Sequence, residues 1–168
     1  MIELLLVIAI LGVLAVVVLI ALNPVQQLAR TRDAGRSSAV NQLGHAIEAY
    51  AVTHNGVYPT DGAGCATGGA WITNCLVNTG EIQTTPGQLN YTAGGTACGG
   101  GVSQNSYCYD GSDLSAVVYA GAEADSNTSQ CTGTTPNAYF VYSTAAGRGG
   151  LWCGGGAPTA GVTAGFVQ

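Results

Sequence analysis

The stretch IELLLVIAILGVLAVVVLIALNP, residues 2–24, decides how the rest of this chain is read. One carboxylate, Glu3, stands at the lip of an unbroken apolar run over residues 4–22. As a helix at about 1.5 Å per residue, that run spans about 28 Å. A bilayer core is about 30 Å thick, so the segment is membrane-length. A lone charge beside it costs roughly 2.5–3.5 kcal/mol on insertion scales, which calls for a partner or a function.

Asn23-Pro24 interrupts the run, and an amphipathic pattern follows. Val40, Leu43, Ile47, Tyr50 and His54 recur at steps of three and four, which places them on one helix face. The pattern ends at Asn55-Gly56-Val57-Tyr58-Pro59. Asn and Gly suit a left-handed cap, and proline stops propagation. The first third of the chain is therefore expected to be one long helix. Its parts are an apolar half over residues 1–24 and an amphipathic half over 25–55, ahead of a globular head over 56–168.

The head is short of charge and rich in glycine, and the chain has a net charge of −5. Up to Gly56, three arginines balance Glu3, Asp33 and Glu48. Beyond it, Arg148 alone faces Asp61, Glu81, Asp110, Asp113, Glu123 and Asp125. Such a surface is a poor match for nucleic-acid phosphates. All six cysteines (Cys65, Cys75, Cys98, Cys108, Cys131, Cys153) lie in the head. No CxxC or CxxCH occurs and both histidines fall on the helix, so disulfides are expected rather than a zinc or haem site. The pairing is open from sequence; neighbours are expected to join, Cys65 to Cys75, Cys98 to Cys108 and Cys131 to Cys153. Each closed loop contributes roughly 2–4 kcal/mol in the chain-entropy model.

Strand signals fall at 106–110, at 114–122 and, most strongly, at AYFVYST over 138–144. Segments 151–153 and 162–167 are expected as edges, 70–77 as a short helix or turn segment, and 99–101 and 125–136 as loops. The fold class is α+β: a small antiparallel sheet packed on the amphipathic half of the long helix, with a disulfide-pinned head.

MIELLLVIAILGVLA and NPVQQLARTRDAGRSSAVNQLGHAIEAY together resemble the N-terminal helix of bacterial type IV pilins and type II secretion pseudopilins. The resemblance covers about the first third of the chain and weakens beyond it. In that family a basic leader is cleaved and the acidic residue is fifth in the mature chain. Glu3 is third here, which implies two further residues and a leader before Met1. A basic leader would also place the cysteine-bearing head outside the cytoplasm, as the positive-inside rule requires.

The resemblance further implies a structural subunit of an extracellular filament, drawn from the cytoplasmic membrane. Its partners would be copies of itself, the lipid bilayer before assembly, an inner-membrane platform, a prepilin peptidase and an assembly ATPase. Glu3 would neutralise the N-terminal amine of a neighbouring subunit. A matched pair offsets much of the cost of two charges in an apolar core, so the pair selects register. Gly12 and Pro24 would bracket a stretch of helix that weakens in the filament. Alternatives are a periplasmic pseudopilin and a membrane-anchored binding domain that never polymerises.

Arg30, Arg32, Asp33 and Arg36 read as a solvated or headgroup-facing helix surface, or as partners for acidic groups of adjacent subunits. Asp110 and Asp113 lack EF-hand spacing and read as turn residues, so no metal and no cofactor are expected. Asn90-Tyr91-Thr92 and Asn127-Thr128-Ser129 match the glycosylation sequon. His45 and His54 have no plausible catalytic partner, and no nucleophile elbow or P-loop lysine occurs, so an enzyme is not expected. Tyr50 is the only aromatic residue before Tyr58, which disfavours electron conduction through stacked rings.

Overall fold

The computed structural model describes residues 1–91, 98–99, 101–133 and 137–167. Two helices, not one, lead the chain: α1 over Ile2–Leu22 and α2 over Pro24–Thr53. The break is Asn23, whose φ of 40° and ψ of 74° place it in the left-handed region. Asparagine tolerates that region better than most residues. Pro24 then occupies the first turn of α2, where its missing N–H costs nothing. The Asn23 carbonyl still accepts from the amides of Gln26 and Gln27, so the two helices follow one another directly.

The distal half of α2 lies on a five-stranded antiparallel sheet of order β1-β2-β3-β4-β5. The strands are β1 Val102–Gln104, β2 Tyr107–Ser112, β3 Ser115–Gly121, β4 Asn137–Ser143 and β5 Arg148–Gly154. A 3-10 segment at Gly64–Gly69, a π-helical segment at Ile72–Val77 and a four-residue helix, α3, at Asp125–Thr128 complete the elements. The helix expected near 70–77 is thus π-helical, and the expected loop at 125–136 begins with α3. Segment 162–167 supplies only an isolated bridge, Phe166 to Trp152, instead of a strand.

Register and alternation divide the sheet residues between two cores. Tyr109 pairs with Val118 and Val118 with Tyr142, so all three share one face. That face packs with Val40, Leu43, Ile47, Trp71 and Leu76. Gly44 lets the helix approach the sheet closely, because a Cβ there would overlap the Tyr142 ring. Trp71 stacks on Tyr109 and donates its indole N–H to the Tyr107 carbonyl, while the Tyr109 hydroxyl donates to the Pro59 carbonyl. The opposite face, with Val117, Tyr119, Tyr139 and Val141, is covered by Val162 and Phe166 of the C-terminal segment. Both faces of the central strands β2, β3 and β4 are therefore buried, which the alternating pattern of a one-faced sheet would not have required.

The disulfides join Cys65 to Cys75, Cys98 to Cys108 and Cys131 to Cys153, the neighbour pairing. His54, the last residue of the expected helix face, lies beyond the core. It is exposed at the C-terminal cap of α2 and stacks on the half-buried Tyr50 ring at 3.7 Å between centroids.

Candidate functional site

Two features stand apart from ordinary core packing: the surface of α1, and a cluster of charges beneath the first turns of α2. Helix α1 is apolar all round, yet its 20-residue span from Ile2 to Ala21 is 0% buried. It is long and apolar enough to cross a membrane. A helix greasy on every side belongs in lipid or among other apolar helices, because in water it has no face to present. Glu3 sits in its first turn, where a carboxylate also favours the helix N-terminus. Gly12 lies mid-helix with nothing near its missing Cβ, so no packing within this chain demands glycine there. The backbone is helical through Gly12, and Pro24 directly follows the break at Asn23.

The arginine run is not a solvated face. Asp33 and Arg36 are each 1% exposed and Glu123, from the segment after β3, is 2% exposed. Arg36 bridges the two acids, 2.7 Å to Asp33 and 2.7 Å to Glu123. Arg32 grips Glu123 bidentately through Nε at 3.0 Å and a terminal nitrogen at 2.6 Å. That hydrogen bond raises the Arg32 guanidinium above its ordinary range, so it stays charged. Asp33 also accepts from the backbone amides of Glu123 and Ala124 and from the Asn127 side chain at 2.7 Å. Arg36 donates to the Asn90 carbonyl and lies 4.1 Å from the Tyr91 ring centroid. Two cations and two anions leave the cluster neutral, as burial requires. Helical spacing put Arg32 and Arg36 on adjacent turns of one side, but nothing in the local sequence named Glu123 as their partner. The one available signal was that Asp33 and Arg36 share the helix face of Val40 and Leu43.

Arg30, by contrast, is exposed. Asn127 of the second sequon spends its side-chain amide on Asp33, so a glycan there would break the buried cluster. Of the first sequon, Thr92 lies outside the described residues, as do Gly100 and the end of the 125–136 segment. Asp110 accepts from the Ala160 amide and Asp113 from the Thr60 hydroxyl, both turn-bracing roles. Burial, and then the nearby Asp110 charge, push Asp61 above the usual carboxylate range. His45 contacts the Tyr142 hydroxyl at 3.2 Å and Glu48 at 3.4 Å on an exposed helix surface. Among the described residues no group of three or more His, Cys, Asp or Glu side chains is placed to hold a metal ion. Comparison with protein-family models, with curated proteins and with solved structures finds no match.

Proposed function

We infer that this chain is a structural subunit of a type IV pilus-like filament, held in the membrane by α1 before assembly. The observation that carries this reading is an apolar helix, 0% buried in the isolated chain, with a carboxylate in its first turn. In lipid the helix is satisfied. Bundled with copies of itself it is equally satisfied, since one apolar environment replaces another. Glu3 then finds the N-terminal amine of a neighbour, and a copy out of register leaves a buried charge unpaired. An α2 seated on an antiparallel sheet, with disulfides pinning the loops, suits a head on the outside of such a filament.

A membrane-anchored head that never polymerises shares the span but has no use for Glu3. Glu3→Ala separates the two. Filaments lost, with the protein retained in the membrane, support the subunit reading. Normal filaments of Glu3→Ala protein would remove Glu3 from any register role. A pseudopilin differs from a pilin in where the material accumulates, periplasm against cell surface.

A further inference from the structure

Helix α2 is attached to the head in two chemically different ways. From Val40 to Ala51 its buried residues are Val40, Leu43, Gly44, Ala46, Ile47 and Ala51, with no charge among them. From Pro24 to Ala39 the buried residues are Ala29, Asp33 and Arg36. One methyl group is thus the only fully buried apolar side chain over about 24 Å of helix at 1.5 Å per residue. What holds this part down is polar: Gln26 accepts from the Asp125 amide, and Asp33, Arg32 and Arg36 engage the 123–127 segment.

That polar attachment is incompletely satisfied and incompletely packed. Arg36 Nε is buried and has no hydrogen-bond partner among the described residues. A cleft of about 320 Å³ opens on one side, lined by Arg32, Arg36, Gln88 and Tyr107 among others. A second of about 300 Å³ opens by Asp33, Ser126 and Asn127. Apolar contact is non-directional and survives small shifts, whereas this cluster depends on paired geometry and loses most of its strength once one member moves.

We propose that the Arg32–Asp33–Arg36–Glu123 cluster is a latch: residues 24–39 lift off the head as one unit while residues 40–53 stay seated. Opening would re-aim α1 relative to the head without unfolding the sheet. Low-stability segments next to moving elements commonly behave as separate cooperative units. The freed segment contains Gly35 and adjacent Ser37 and Ser38, and a helix of that length and composition is marginal alone. Its amides would exchange when the latch opens. The proposal does not depend on filament assembly; an anchored monomer would carry the same latch.

The test is amide hydrogen exchange by mass spectrometry on the full chain in detergent micelles, disulfides intact. No cysteine lies in residues 24–53, so peptides from both halves of α2 are separable. Glu123→Gln removes the anion shared by both arginines, and Asn127→Ala withdraws one donor from Asp33. Exchange in residues 26–39 is expected to rise by roughly a hundredfold in the first and more modestly in the second. Exchange in residues 43–51 is expected to remain slower than in residues 26–39 in wild type and in both variants, because only global unfolding exposes the seated half. If Glu123→Gln unfolds the chain, Asn127→Ala decides alone. One common exchange rate for both halves of α2, faster exchange in 43–51 than in 26–39, or no rise in 26–39 would each overturn the latch.

Discussion

Arg36 on α2 and Glu123 beyond β3 lie 87 positions apart and meet at 2.7 Å with both side chains buried. Their pairing ties the part of α2 nearer α1 to the head, at the point where the apolar core has run out. Charges in the interior are seldom the strongest means of attachment, but they are sensitive to the loss of one partner.

Asp33→Ala should therefore be costly. It strands Arg36 beside Glu123 with a surplus positive charge, and it leaves the Glu123 and Ala124 amides without their acceptor. The expected destabilisation is about 3–5 kcal/mol, seen as a lowered urea midpoint of the unreduced protein. A midpoint within experimental scatter of wild type would show that the cluster is already open in solution.

Gly44→Ala tests the helix–sheet contact. Alanine favours helix by about 1 kcal/mol over glycine. Overlap with Tyr142 costs typically 1–3 kcal/mol, so net destabilisation is expected. Combining it with Tyr142→Leu should cost less than the sum of the two single changes, because the residues share one space. Strict additivity in denaturant melts would contradict the contact.

Alkaline stability follows from the buried tyrosines. Burial, and then the Glu48 carboxylate, push the Tyr142 phenol up to about 12, and Tyr109 is raised further by burial. In the unfolded chain both titrate near 10. Folded protein thus keeps protons that unfolded protein gives up, so this contribution to stability is complete below about pH 10 and is lost as pH rises through about 12. Denaturant midpoints measured from pH 9 upward should fall over that window, and Tyr142→Phe should make the fall shallower.

Removing the Cys131–Cys153 bridge by paired alanine substitution should cost about 3 kcal/mol, since it closes the longest loop of the three, 22 residues in sequence separation. Calorimetry should show the drop as a lowered Tm larger than that for the Cys65–Cys75 pair, whose separation is 10.

What the sequence made legible was whatever local spacing encodes. The apolar run needed only its length, and Val40, Leu43 and Ile47 only their helical period. The strand at Asn137–Ser143 announced itself by its aromatic and β-branched residues. Strand β5 was seen only in part, because Gly149 and Gly150 dilute its signal. Strand β1 was missed because it is three residues long and follows a glycine cluster; the hairpin after it turns on Asn105 and Ser106, with φ of 53° and 65°. The break at Asn23 was signalled by Pro24, but proline alone did not say that the preceding residue would go left-handed. The buried cluster was hidden most deeply. A charged residue reads as surface until its partner is known, and Glu123 lies 87 to 91 positions from its arginines.

The most direct test of a subunit role for this chain is mass spectrometry, without reduction, of material sheared from cells that make it. Protein with three intact disulfides is expected to be abundant in the sheared fraction. Protein confined to the membrane fraction would contradict a surface filament and leave α1 as the anchor of a head that stays where it was inserted.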